Sequence, residues 1–426
     1  MIKKSLSAGA VYTHILLVVY LAIYLATGIQ TQQMLIHLKP IPESLLQDFN
    51  FYRRALQFAC QRTDPYSIRE IGPAFLYPPP ALLVVQIFAW LVSPMGEFLV
   101  YTAVNSALLL LMTYGVASFY HYSPKTVWYW FPVALGFAPF LELIHVGQIN
   151  VITQFGVFLM FIAQASNPML AGAGLGLAIV TKVTPLAFIW YLFTNRRPVV
   201  ILTTLIVIAA LCILALQQYG WGPFATYPDV LRHLLGTFAL GTNSQSLVAK
   251  LAVANTPEFQ DALGKLPQDW QAPAYAIASF FTIYHAGLQR LLTVYMVVVL
   301  VLGGWLNWRL KQPDLWFVLI SLAVTLSSGI MWYHHYVFLL IPMFVLMAWS
   351  RLNRGVVLWC LLWLLIIQVD RWHLTYGLLI HIAGQITILA ILAWQVKLLR
   401  LRDRATPHRQ AVVSSAAALS APYTGH

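Results

Sequence analysis

An all-α protein that crosses the bilayer many times is the fold class this sequence predicts, and three observations predict it. Of 426 residues, 60% are hydrophobic and only 9% charged, whereas soluble domains run near 45–50% apolar and about 25% charged. Apolar runs long enough to cross about 30 Å of hydrocarbon, roughly 20 residues each, recur throughout the chain. Cations gather at the ends of those runs, and mean hydropathy is +0.74.

Taken in order, the runs fall near 11–29, 75–93, 98–119, 127–143, 149–165, 171–193, 199–217, 288–308, 315–331, 336–349, 355–369 and 374–396. That predicts about twelve transmembrane helices. The fourth, fifth and tenth are short enough to be half-buried or re-entrant. The first run has a basic start but no small-residue cleavage site behind it, so it is expected to be retained as a helix. Residues 1–400 form the expected integral membrane domain, and the Ala/Ser-rich segment 401–426 reads as a disordered cytoplasmic tail.

The balance of 25 Lys+Arg against 13 Asp+Glu gives a net charge of +12. In a soluble chain this would suggest nucleic acid. Here the clusters Lys3/Lys4, Arg196/Arg197, Arg309/Lys311, Arg351/Arg354 and Lys397–Arg409 flank apolar runs, which the positive-inside rule assigns to the cytoplasm. A count of about twelve crossings puts all of them on one side with both termini inside, and leaves Lys125 outside. The partners implied are therefore membrane lipids, not nucleic acid. Cys60, Cys212 and Cys360 have neither pairing nor metal spacing.

Two larger loops then face outward, 30–74 and 218–287. They hold Glu43, Asp48, Asp64 and Glu70 in the first, and Asp229, Glu258, Asp261 and Asp269 in the second. Chemistry on a polar substrate is expected on this outer face. Phe49, Tyr52, Leu56 and Cys60 recur at helical spacing, which predicts a short amphipathic helix over 49–60 lying on the membrane surface. Asp48 would occupy its N-cap. Capping and catalysis are compatible, because a helix N-terminus holds a carboxylate rigidly and ionised. Tyr77-Pro78-Pro79-Pro80 reads either as a rigid start to the second span or as a functional motif.

Lys182 interrupts an apolar run. A buried ammonium is costly unless paired or facing water, so it marks either a functional site or a salt bridge to Glu142. Pro185 would break the helix nearby. The run Glu142–Asn150 is either a helix break lining a polar cavity or a connecting turn. Asn243-Ser244-Gln245-Ser246 offers amides and hydroxyls suited to sugar hydroxyls, and is equally ordinary loop composition. In Trp332-Tyr333-His334-His335, adjacent side chains diverge by about 100°, so one histidine is expected to face a given site. Either could contact a phosphate oxygen. Metal spacing is missing, and no Asp-x-Asp pair occurs in the sequence.

In this order the motifs resemble glycosyltransferase family 87, of the C-type membrane glycosyltransferases that use polyprenyl-phosphate sugars. The elements that carry the resemblance are Asp48-Phe49 with Tyr52, Tyr77-Pro78-Pro79, Gly147-Gln148, Lys182 with Pro185, Asn243 with Gln245-Ser246, and Trp332 with His334-His335. The resemblance implies a periplasmic active site and inverting transfer of a hexose, often mannose, from a polyprenyl-phosphate donor to a glycolipid or glycan acceptor. It implies no cofactor and no metal. Asp48 matches the catalytic acid of the family, and His334 or His335 its phosphate-contacting position. Lys182 and Arg53 are further candidates for the donor phosphate. Tyr52, Tyr77, Gln148, Asn243, Gln245, Ser246 and Trp332 are candidates for substrate binding.

Two other functions fit a polytopic chain. A transporter or flippase would place Lys182 and Glu142 at a midplane site and predicts matching interrupted segments in two repeats, which the sequence lacks. A lipid-linked polysaccharide polymerase or ligase would concentrate its chemistry in 218–287 and leave Asp48 dispensable. A topology reporter fused within 30–74 is expected to report an extracytoplasmic position, and a cytoplasmic signal there would end the outer-face assignment.

Overall fold

In lipid a backbone must satisfy its own hydrogen bonds, so apolar segments become helices. The computed structural model describes residues 46–66, 75–89, 94–236, 239–240, 281–282, 286–328, 331–369 and 374–419. The expected first span at 11–29 and the cluster at 243–246 lie outside the described residues.

The first described helix, α1, is Gln47–Cys60. It is followed by α2 (Ala81–Ala89), α3 (Pro94–Phe119), α4 (Val127–Leu135) and α5 (Ala138–Val146). Next come α6 (Asn150–Ala163), α7 (Pro168–Thr181), α8 (Phe188–Thr194), α9 (Pro198–Tyr219) and α10 (Gly222–Gly236). The C-terminal part contains α11 (Ala286–Leu310), α12 (Pro313–Leu326), α13 (Val337–Trp349), α14 (Arg354–Val369) and α15 (Leu374–Leu419). One two-residue antiparallel pair, Ala239–Leu240 with Phe281–Thr282, joins the two ends of the second large loop. Helix α15 runs on into the segment expected to be a disordered tail.

Among the described residues, four stretches are long and apolar enough to cross a bilayer: Glu97–Phe119, Pro198–Tyr219, Arg290–Leu310 and Leu379–Asp403. They coincide with four of the expected spans. The fourth expected span is a pair, α4 and α5, bent by 58°. Pro139 sits in the first turn of α5, where its missing N–H costs little. The backbone groups freed at the bend are met by one side chain. The Ala138 N–H donates to Gln368 Oε1 at 2.7 Å, and Gln368 Nε2 donates to the Gly136 carbonyl at 3.1 Å.

The run expected as one span over 171–193 is instead two arms. Helix α7 ends at Thr181, Lys182 is extended at φ −156° and ψ 134°, and a 3₁₀ turn at Thr184–Ala187 leads into α8. Pro185 cannot donate to a continuing ladder and disfavours helical geometry in the residue before it, which breaks the run here. Hydropathy alone does not register such a reversal.

Glycines set how closely α6, α7 and α9 approach. A Cβ on Gly156 would lie 2.3 Å from the Gly174 carbonyl, and one on Gly174 would meet Leu159, so α6 and α7 run antiparallel in near-backbone contact. Gly172 faces Val200 and Thr203, and Gly176 faces Thr204 and Val207, so α9 runs alongside α7 in the same direction. At 14 residues α6 and α7 are each about 21 Å long, against about 33 Å for α9, at 1.5 Å per residue. The short pair therefore brings Asn150 and Lys182 to a level short of the upper end of α9. Stacked Phe161 and Phe317 (4.1 Å between centroids) pack α6 on α12, and stacked Trp130 and Phe344 (5.2 Å) pack α4 on α13.

Gly156→Val is expected to destabilise the fold by about 1–3 kcal/mol, the cost of overpacking a tight core. Thermal unfolding in detergent measures it, and an unchanged transition would contradict the close α6–α7 packing.

Candidate active site

Helix α1 begins two residues earlier than its spacing predicts. Leu46 takes the left-handed conformation at φ 57° and leads into Gln47, so Asp48 sits in the first turn rather than at the N-cap. The Leu46 N–H donates to the His145 carbonyl at 2.7 Å, anchoring the start of α1 on the end of α5. Gly147, at φ +80°, lets the two approach. A Cβ there would lie 2.7 Å from Phe49 Cβ and in a backbone region that L side chains rarely adopt.

The apolar face of α1 packs against protein rather than lying open to lipid. Phe49 meets Phe88 and Tyr101 at 6.1 and 5.8 Å between centroids, and Tyr52 meets Phe75 and Tyr77 at 6.1 and 5.2 Å. Asp48 and Tyr52, four residues apart, share a face of α1.

A chain of hydrogen bonds runs through this aromatic cage. Tyr77 Oη donates to Gln148 Oε1 at 2.5 Å and lies 3.1 Å from the Tyr52 hydroxyl. Gln148 Nε2 donates to Asp48 Oδ2. The Tyr101 hydroxyl donates to the Gln148 carbonyl, and Tyr66 donates to the Tyr77 carbonyl at 2.8 Å. Burial, then the neighbouring Tyr77 and the Asp48 carboxylate, push the Tyr52 phenol well above its ordinary range, so it remains an O–H donor. The carbonyls of Pro78, Pro79 and Pro80 accept from the N–H groups of Ala81, Leu82 and Leu83 at 2.9, 3.2 and 3.1 Å, so the prolines lead from this tyrosine directly into α2.

Two residues beyond Gln148, the same segment binds a cation. Lys182 Nζ lies 3.2 Å from Asn150 Oδ1 and 3.0 Å from His335 Nε2. Asn150 Oδ1 accepts from the ammonium and His335 Nε2 is its other near polar atom, in place of the salt bridge to Glu142 that the sequence left open. Lys182 also stands 5.1 Å from the centroid of Phe338. The run 142–150 is thus a break that lines a polar centre, with Asp48 on one side and Lys182 on the other. Gln148 and Asn150 are at most about 7 Å apart along the chain.

His335 has a fixed orientation. Its Nδ1 accepts the Trp332 N–H at 3.2 Å, which in a neutral imidazole places the proton on Nε2. An Nε2–H and an ammonium then converge on one point, and an anionic oxygen placed there accepts from both. His334 makes no hydrogen bond to Lys182. Its ring stands edge-on to His335 at 4.7 Å, and its buried Nε2 has no hydrogen-bond partner among the described residues.

Lys182 and His335 form the polar end of a partly open, mostly apolar cavity walled by Phe158, Phe188, Phe317 and Phe338 among others. Gln154 also lines it, buried at 4% exposure, with neither amide atom hydrogen-bonded among the described residues. Gln154 lies one helical turn from Asn150 on α6. Sequence reasoning passed over both amides as site residues, although an Asn and a Gln at i and i+4 in an apolar helix share a face and are costly to bury unpaired.

Arg53 is drawn elsewhere. It forms an ion pair with buried Glu97 at 3.1 Å and contributes to docking α1 on α3. Trp332 supplies its backbone N–H to His335. Asn243, Gln245 and Ser246 lie outside the described residues.

Residues 75–333 match the sequence profile of glycosyltransferase family 87. The match takes in Tyr77, Gln148 and Lys182; Asp48 precedes it, and His334 and His335 follow it directly. The chain is 26% identical over 294 residues to the polyprenol-phosphate-mannose-dependent alpha-(1-2)-phosphatidylinositol mannoside mannosyltransferase of Mycolicibacterium smegmatis, covering 64% of this chain and 61% of that protein. It is 25% identical over 300 residues to the protein of the same name from Mycobacterium tuberculosis, covering 66% of this chain and 64% of that one. The chain therefore spans about three-fifths of the length of these curated relatives.

Gln148→Leu would leave the Asp48 carboxylate and the Tyr77 hydroxyl without their shared partner. A loss of about 1–3 kcal/mol is expected, the usual cost of orphaning buried polar groups. Chemical denaturation of the purified protein reads it, and a neutral result would mean that the network contributes nothing to docking α1.

Proposed function

The chain belongs to glycosyltransferase family 87, and from that premise we propose that it transfers a hexose, mannose by likeness to its relatives, from a polyprenyl-phosphate donor to a glycolipid or glycan acceptor. The observation that carries this reading is the segment Gln148–Asn150, which binds the Asp48 carboxylate through one amide and the Lys182–His335 pair through the other.

In the proposed reaction the acceptor hydroxyl attacks the anomeric carbon of the donor sugar. Asp48 takes the hydroxyl proton as general base. The bond between the anomeric carbon and the phosphate oxygen breaks, and polyprenyl phosphate leaves with the electron pair. Lys182 and His335 converge where that phosphate would sit and donate to the oxygens on which charge develops. Displacement opposite the leaving group inverts the anomeric centre, as with a single-base inverting glycosidase. The lysine, the histidine and Gln154 supply the electrostatic work in this scheme, and no metal takes part.

The apolar cavity behind Lys182 suits the first isoprene units of the donor. Gln154, with both amide atoms unpaired, is placed to bind the phosphate end of that lipid. Tyr52, Tyr77 and Gln148 hold Asp48 and face the sugar, with Asn243, Gln245, Ser246 and Trp332 proposed to complete the substrate site. Of the two histidines, His335 is assigned to the phosphate and His334 to packing. Arg53 is reassigned to supporting α1.

The architecture that accompanies this reading is the C-type glycosyltransferase arrangement. It has about twelve spans, an outer juxtamembrane helix α1, an integral domain over 1–400 and a cytoplasmic tail over 401–426. The active site would face the periplasm from the inner membrane, with both termini cytoplasmic.

Asp48→Asn is expected to lower transfer of radiolabelled mannose from polyprenyl-phosphate mannose by about 10²–10⁴-fold, the usual contribution of a general base. Donor binding should persist. Full activity in that variant would remove Asp48 as the base and favour chemistry centred on the second outer loop.

A further inference from the structure

The polar groups at the other end of the short helices form a second constellation. Helix α6 descends about 21 Å from Asn150, and Gln164, just past its end, donates to the Tyr191 hydroxyl at 2.7 Å. One turn later α8 gives way to the Asn195–Arg197 turn that begins α9. A concave, open pocket lies there between α8, α9 and α11, lined by Trp190, Phe193, Arg196, Arg197, Trp305 and Trp308.

This pocket is built. Trp190 Nε1 donates to the Leu300 carbonyl at 3.0 Å, and Gly304 admits the indole, since a Cβ there would lie 2.7 Å from that nitrogen. Arg196 is held in the left-handed backbone region at φ 56°, and its guanidinium lies 5.8 Å from the Trp308 ring. Lys311 approaches the same ring at 5.8 Å. Arg197 Nε is buried without a hydrogen-bond partner among the described residues. Among the described residues neither arginine is in an ion pair.

The pocket also stands at a membrane boundary. Pro198 opens the span-capable helix Pro198–Tyr219, and Leu310 closes the span-capable stretch Arg290–Leu310. Ile201 and Val301, one turn or more inward along each helix, line the pocket on its membrane side, and Leu202 and Val298 are exposed on the same two helices. A soluble anion would use the arginines alone. A ligand with a phosphate at the boundary and an acyl chain running inward uses both parts.

We propose that this pocket binds the phosphate headgroup of an anionic phospholipid, with Arg196 and Arg197 on the phosphate and the tryptophans along the glycerol and upper acyl chain. Arginine suits this role because its planar fork gives bidentate phosphate contacts and stacks on aromatic rings. Basic pockets between membrane helices bind acidic headgroups by the same forces. The site is separate from Lys182 and independent of the transferase reading.

Native mass spectrometry of the full chain, offered equal phosphatidylglycerol and phosphatidylcholine, tests this. The wild type is expected to retain the anionic lipid in roughly tenfold preference, given two cations at the headgroup. Arg196→Gln with Arg197→Gln should abolish the preference, while Arg197→Lys keeps part of it; if the double variant does not fold, Arg197→Gln alone is read the same way. Equal retention of both lipids by the wild type, or an undiminished preference in the glutamine variants, would overturn the proposal. So would displacement of the lipid by millimolar inorganic phosphate, which would make the site one for a soluble anion.

Discussion

The side-chain amide of Gln148 is the contact on which the upper half of this molecule depends, because a primary amide can accept and donate at once. It accepts from Tyr77, which sits just before α2, and donates to Asp48 on α1, while its own carbonyl accepts from Tyr101 on α3. Three elements distant in sequence are therefore tied to the three-residue break between α5 and α6. Each of these groups is buried or half-buried, so an unmade bond would carry the full desolvation cost. That is why Gly147 must take a positive φ: any side chain there would push Phe49 and Leu46 off the break and separate Asp48 from its partner.

The lower half is governed by a different constraint, the shortness of α6 and α7. Glycine-to-backbone packing holds this pair together, and each helix ends well before α9 does. Their upper ends leave Asn150 and Lys182 beside a mostly apolar cavity. A cation in apolar surroundings needs a polar partner, and Asn150 Oδ1 provides one. The same shortness brings the α8–α9 turn to the opposite boundary, where Arg196 and Arg197 meet the tryptophans of α8 and α11.

What the sequence misjudged follows from what it can encode. Hydropathy reads 171–193 as one span and cannot register that the chain reverses at Lys182, because an arm that turns back has the same composition as one that crosses. Asp48 is expected at an N-cap, and the boundary lies two residues earlier because Leu46 is fixed by a tertiary bond to His145. Arg53 was assigned to phosphate because a guanidinium suits it, yet buried Glu97, 44 residues away in sequence, takes it instead. Gln154 was passed over because a single amide in an apolar run gives no local sign of facing a cavity.

By itself the sequence determined that this is a helical membrane protein, that its polar exceptions are few, and that Asp48, Gln148, Lys182 and the histidine pair are the ones to examine. Those conclusions rest on composition and on the cost of polar groups in lipid, both of which are local properties. Only the tertiary structure decided that the exceptions meet, that His335 rather than His334 lies within hydrogen-bond distance of Lys182, and that Asn150 and Gln154 join them. Convergence depends on the distances between helices, and those are set by glycine contacts and buried hydrogen bonds between segments that no local pattern links.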